Sequence, residues 1–177
     1  VDGPAGLAVR RLAIIDLERG DQPMANEDRT VHVVQNGELY DHRRPQAELE
    51  RRGHRFASHC DTEVLPHLYE ERGAAFAEGL RGMFAVAFWQ ESQKRLVLGR
   101  DRLCIKPLYY TLRNGDLHFG SELKAVFAHP DVPRQLCDTG LAYFLSLNYV
   151  PTPYTLAEGI TKVIPGSWLE FKRGRIV

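Results

Sequence analysis

Met83 to Trp89 (MFAVAFW) is an unbroken run of seven apolar residues, followed across the polar turn Gln90–Lys94 by a second, Arg95 to Gly99 (RLVLG). A membrane span needs ~20 such residues, so the run is too short to cross a bilayer. Its composition is that of a central strand, and with its partner it reads as a hairpin. Asn114-Gly115 signals a second hairpin, between Leu108–Leu112 and Asp116–Gly120. Thr30 to Gln35 (TVHVVQ) reads as a strand ending at Asn36-Gly37, a pair that can itself make a hairpin turn. Further strands are expected around residues 6–10 and over Ser167–Phe171. Helices are expected within Tyr40–Arg52, ended by Gly53, and from Asp61-Thr62-Glu63 onward, with Pro66 in the first turn. A helical turn follows over Ala74–Leu80. Two more helices are expected over Ser121–Ala128, capped by Ser121, and Asp138–Leu147, capped by Asp138. Hairpins and helices alternate in blocks, which points to an α+β fold with antiparallel sheets.

The 177 residues fit one domain, or one domain with a tail. Basic and acidic residues balance at 23 each, leaving no surplus to neutralise phosphates or hold a membrane surface. Neither nucleic acid nor membrane is an expected partner. Cys60, Cys104 and Cys137 are few, odd in number and far apart, which suits reduced thiols in the cytoplasm. The chain has no Walker A loop, no dinucleotide fingerprint, no G-x-S-x-G and no C-x-x-C. His59-Cys60-Asp61 with His67 matches no standard zinc spacing, so no metal site is expected. The basic stretch His42–Arg55 is interleaved with glutamates and reads as a solvated helix face.

Three short segments carry usable chemistry. Arg11 stands among Val9, Leu12, Ala13, Ile14 and Ile15, where a guanidinium can clamp a carboxylate or form a structural salt bridge. Asn36-Gly37 can aim a side-chain amide and a backbone N–H at one oxygen, as an oxyanion hole requires; the same pair also suits a plain turn. Asp61, with Glu38, can receive an ammonium group, and Asp61 also suits a plain helix cap. Together these groups would fit an α-amino acid whose side-chain carbonyl is to be attacked.

Seven blocks in order carry a resemblance that runs through the whole chain: RRLAIIDLERGDQPMANED (Arg10–Asp28), NGELY (Asn36–Tyr40), ELERRGHRF (Glu48–Phe56), DTEVL (Asp61–Leu65), LRGMFAVAFW (Leu80–Trp89), GRDRLCIKPLYY (Gly99–Tyr110) and SELKA (Ser121–Ala125). The stretch YVPTPYTLAEGITKVIPGSWLE continues it. On these residues the chain resembles the N-terminal glutaminase domain of glutamine-hydrolysing asparagine synthetases, a class II amidotransferase of the N-terminal-nucleophile type. The resemblance implies an αββα four-layer sandwich. It implies that Arg11 holds the glutamine α-carboxylate against a wall of Leu12, Ala13, Ile14 and Ile15. It gives Asn36 and Gly37 the oxyanion hole, Glu38 and Asp61 the α-ammonium, and Met83 the start of an ammonia path. It also implies an ATP- and Mg2+-dependent synthetase domain as partner, in the same or a separate chain. Residues 1–148 would form the amidotransferase domain, and 149–177 an extended segment leading toward that partner.

The departures matter as much. The family's nucleophile is an N-terminal cysteine whose own amine acts as base. By that pattern about fifty residues are expected ahead of Val1, including the first strand. No S-G-G-x-D-S pyrophosphate loop occurs. Val9, Ala13 and Cys104 replace a usual His, Ser and Gly. Cys104 lacks a neighbouring base and reads as a structural thiol. The chain is therefore expected to supply glutamine-binding walls and an oxyanion hole but no hydrolysis. The alternative is a non-catalytic glutamine-binding or interaction module working with a separate synthetase. A sheet without its first strand also leaves an open edge that invites a homodimer.

Overall fold

The structure, a computed structural model, describes residues 4–12 and 14–177. Two sheets carry the architecture. The larger is built from β1 (Met24–Ala25), β2 (Val31–Leu39), β3 (Gly82–Gln90), β4 (Arg95–Arg100), β8 (Trp168–Lys172) and β9 (Arg175–Ile176), in that order and antiparallel throughout. The smaller places β5 (Tyr109–Arg113) between β6 (Asp116–Gly120) and β7 (Thr161–Lys162). The β5–β6 hairpin turns at Asn114 and Gly115, both with positive φ (52° and 88°), as its two-residue turn demands.

The apolar run explains itself in β3. Side chains of a strand alternate between faces. Phe84, Val86 and Phe88 join Val31, Val33, Leu39 and Val97 against the helical layer. Ala85, Ala87 and Trp89 join Val34, Leu96 and Leu98 against the smaller sheet, which offers Leu108, Leu117, Phe119 and Val163. Both faces of β3 are covered, so neither can be polar. On the helical face Phe88 is fully buried, stacks on Tyr69 at 4.8 Å and meets Phe76 edge-on at 4.6 Å. Truncating such a ring to alanine costs ~3–5 kcal/mol.

The helical layer holds α1 (Arg43–Arg51), the 3-10 turn Asp61–Glu63, α2 (Val64–Arg72) and a second 3-10 turn, Gly73–Ala77. On the far face of the smaller sheet, α3 (Leu123–Val126) packs Val126 against Val132, Ala157 and Ile160. Helix α4 (Asp138–Leu147) follows. The layers thus run helix, sheet, sheet, helix, as the family resemblance implies.

Several local expectations are corrected. Strand β2 does not stop at Asn36-Gly37 but runs through both to Leu39, because Gly37 has no side chain to collide with β3: a Cβ there would lie 2.0 Å from Met83 O. Residues 6–10 are extended but not laddered to any strand; Ala5, Leu7 and Val9 simply alternate inward onto the inter-sheet core. Ser121 does not cap α3, which starts after Glu122. Asp138 lies in the first turn of α4, with Cys137 at the cap position. Apart from these corrections, residues 149–177 supply β7, β8 and β9, with β8 where a strand is expected. No helix among the described residues is long and apolar enough to cross a membrane.

Candidate functional site

The site grows from one edge of β2. Phe84, opposite Gly37, spends its N–H and C=O on Asp101 beyond β3, at 3.3 and 2.8 Å. In an antiparallel ladder a residue whose main-chain groups point away faces a non-hydrogen-bonded partner. Gly37 therefore turns its N–H away from β3. Gln35 and Leu39 share that direction. Gln35 N–H donates to Gln22 Oε1 at 2.7 Å, and Leu39 N–H donates to Asp61 Oδ2 at 2.8 Å. Between these two satisfied donors the Gly37 N–H points at open space. Asn36 lies on the inter-sheet face, where its Nδ2 donates to Ser121 Oγ at 3.1 Å.

That open space is a cavity of about 530 Å3. Its wall brings together Arg11, Leu12, Ile14, Ile15, Asn36, Gly37, Glu38, Asp61 and Met83, nine of the ten residues singled out from the sequence. The tenth, Ala13, lies outside the described residues. Arg11 is half-buried, and its Nη2 donates to Ile15 O and Asp16 O at 2.5 and 2.8 Å, holding the loop in a turn. Gly20 makes room for it, since a Cβ at that position would lie 2.0 Å from Nη2. Its Nη1 stands 3.8 Å from the exposed Asp21 carboxylate. Arg10 also lines the cavity but is exposed, whereas Arg11 is half-buried. Asp61 is buried and does not serve as a cap; its carboxylate is used by Leu39 N–H and by the Cys60 thiol. The half-buried Glu38 carboxylate has no hydrogen-bond or ion-pair partner among the described residues and is free to take a cation.

The cysteines are not poised to attack. Cys60 lines the cavity, but burial pushes its thiol up, against hydrogen bonds from Thr62 and with help from the Asp61 charge. A buried, protonated thiol is a poor nucleophile. Cys104 sits in the loop after β4, outside the cavity wall. That loop is pinned by two adjacent residues. Arg100 donates to the carbonyls of Cys104, Lys106 and Val163, and Asp101 accepts from the N–H groups of Leu103, Ile105 and Lys106. Lys106 thereby reaches the cavity wall.

Sequence reasoning missed Gln22 and Ser121. Gln22 lies in a segment read as turn chemistry, yet it orients β2 and donates to Thr62 Oγ1 at 3.3 Å. Ser121 reads locally as a helix cap, and only its spatial approach to Asn36 reveals the other use of its hydroxyl.

A family model for a glutamine amidotransferase domain matches residues 1–177. The chain belongs to that family. It is 44% identical over 135 residues to asparagine synthetase [glutamine-hydrolyzing] 2 of Bacillus subtilis, covering 76% of this chain and 18% of that protein. It is 41% identical over 167 residues to asparagine synthetase [glutamine-hydrolyzing] 3 of the same organism, covering 93% and 27%. Amidase chry2 of Gibberella zeae is 38% identical, covering 93% and 24%. The amidotransferase domain described here thus spans about a quarter or less of these relatives. The glutamine phosphoribosylpyrophosphate amidotransferase of B. subtilis has the same fold, with a TM-score of 0.59 at 20% identity, covering 88% of this chain and 30% of that one.

Proposed function

We propose that the cavity binds glutamine, and that the whole protein uses this glutamine as ammonia donor for ATP-dependent amidation of aspartate or a related carboxylate. One observation carries the reading: a single cavity gathers a guanidinium, a free carboxylate and an unspent backbone N–H. Arg11 takes the α-carboxylate, completing with ligand oxygens the hydrogen bonds it begins with Ile15 and Asp16. Glu38 and Asp61 take the α-ammonium. Gly37 N–H and the Asn36 amide receive the side-chain carbonyl oxygen, whose charge grows when the amide carbon is attacked. Fixing the Asn36 amide on Ser121 lowers the reorganisation needed at that moment. Met83, on the opposite wall strand, stands where released ammonia leaves toward a synthetase domain, in the same or a separate chain. ATP and Mg2+ belong to that partner; this chain has no phosphate-binding loop to hold them.

Attack itself needs a thiolate or its equivalent. Burial pushes the Cys60 thiol up, and neither Cys104 nor Cys137 lines the cavity, so these residues bind glutamine without hydrolysing it. That arrangement also suits a binding module serving a separate synthetase. Its three free cysteines agree with a cytoplasmic setting. Calorimetry with glutamine, run beside an assay for ammonia release, tests the proposal. Saturable binding without release is the expected result. Absence of binding overturns it, and release that disappears with Cys60→Ala would make Cys60 the nucleophile.

A further inference from the structure

Away from the cavity, three separated stretches converge on one point. Glu27 comes from the turn between β1 and β2, His54 from the segment after α1, and His67 and Glu70 from α2, where a spacing of three places them on one face. One donor atom from each lies within 4.8 Å of the others. His54 Nδ1 stands 3.2 Å from His67 Nδ1 and 3.2 Å from Glu27 Oε1. His67 Nδ1 stands 3.3 Å from Glu27 Oε2, and His54 Nδ1 stands 4.0 Å from Glu70 Oε2. Four donors placed tetrahedrally at zinc bond lengths of ~2.0–2.1 Å lie ~3.3–3.4 Å apart. The 3.2 and 3.3 Å separations lie close to that edge, with Glu27 offering a different oxygen to each imidazole, and the longest belongs to the exposed Glu70.

His54 Nε2 faces Glu71 Oε1 at 3.2 Å. Outer partners hold the set in place, as they do around metal ligands generally. Glu71 orients His54, the Arg55 N–H donates to Glu27 Oε1 at 2.7 Å, and Asn26 Nδ2 donates to Glu70 Oε2 at 3.1 Å. Burial is graded: the His67 side chain is 1% exposed and that of Glu70 is 41%, so an ion has a solvent path to a dry inner wall. His67 Nε2 is buried with no hydrogen-bond partner, beside the Phe56 ring.

We propose that Glu27, His54, His67 and Glu70 form a structural site for a divalent transition metal, with Zn2+ the ion that fits best. Two imidazoles with two carboxylates suit Zn2+ and its neighbours rather than Ca2+ or Mg2+, which prefer all-oxygen shells. Four protein ligands leave no open position, so the role is to clamp the β1–β2 turn onto α2, not catalysis.

The test is a titration of the chelator-stripped chain with Zn2+, and with Co2+ as a spectroscopic probe, near neutral pH. One equivalent binds, and Co2+ shows the visible bands of a four-coordinate ion. Zn2+ at a hundredfold excess over Kd raises the melting temperature by about 5–10 °C. Glu70→Gln and Glu27→Gln each weaken binding by at least about tenfold. Because a buried His67 variant can fail to fold, His54→Gln is the histidine variant of choice. His59→Gln, exposed and outside the cluster, leaves affinity unchanged. No stoichiometric uptake of Zn2+, or uptake that survives both His54→Gln and Glu70→Gln, overturns the site.

Discussion

Asn36 and Ser121 meet across 3.1 Å although 85 positions separate them, so a strand of one sheet is tied by its amide to the end of the other. If the Asn36 amide serves glutamine, its partner sets its aim. Ser121→Ala is expected to weaken glutamine binding about three- to tenfold, the worth of one neutral hydrogen bond, and to lower the melting temperature by about 1–6 °C. Calorimetry and a melt on the same sample separate the two effects. An unchanged affinity would show that Ser121 has no part in aiming the amide.

Arg10 and Arg11 both touch the cavity, yet only Arg11 is half-buried and braced by loop carbonyls. Arg11→Ala is expected to cost about 10–150-fold in glutamine affinity, the range for a hydrogen bond to a charged group. Arg10→Ala should cost less than about threefold. Equal losses in the two variants, or a loss with Arg10→Ala alone, would reverse the assignment.

Gly37 has a φ of 149° and no room for a Cβ beside the Met83 carbonyl. Gly37→Ala is expected to destabilise the fold by about 1–3 kcal/mol through backbone strain alone. It should also displace the free N–H. Chemical denaturation gives the first number. A variant as stable as the parent would mean that β2 and β3 separate here more easily than the ladder suggests.

Burial raises the Cys60 thiol, so its folded-state pKa exceeds the unfolded one. The folded state then holds the proton more tightly. The stabilisation is complete below the unfolded value of about 9 and is lost as pH rises through the folded value. At neutral pH a thiol reagent should modify the half-buried Cys104 and Cys137 at least about tenfold faster than Cys60. Peptide mass mapping over a time course reads this directly. Fastest labelling at Cys60 would mark it as an activated thiol.

Asp101, buried at 2% exposure, accepts from four backbone N–H groups: Phe84, Leu103, Ile105 and Lys106. Asp101→Ala is expected to cost ~3–5 kcal/mol, because buried donors are left unpaired. A loss below ~1 kcal/mol on denaturation would mean that water takes over those amides.

What was legible from residues alone follows the range of the forces involved. Helix α4 spans the expected Asp138–Leu147 because an acid at a helix start is a local signal, although Asp138 lies in the first turn and Cys137 holds the cap position. The β5–β6 hairpin was legible for the same reason. Strand β2 was cut short at Asn36-Gly37 because the pair is a turn signal in isolation, and only the approach of β3 makes glycine a strand residue. Ser121 was given to its nearest helix because sequence shows neighbours and not contacts across the fold. The cavity residues were found through family motifs; spacing alone left Arg11 and Asp61 with ordinary structural roles open. Nothing in the spacing of Glu27, His54, His67 and Glu70 marks them as a group, since three segments must fold before their donors meet.

The order of strands in the larger sheet bears on how the chain is made. β4 hydrogen-bonds to β3, which precedes it directly, but its other edge is filled by β8, which is translated only after the whole smaller sheet and both later helices. Pairings so distant in sequence close slowly. While Arg95–Arg100 waits on the ribosome, its outer edge is a template for any passing strand, its own or another chain's. Release of Trp168–Lys172 from the exit tunnel is therefore the event that commits the nascent domain to its native sheet.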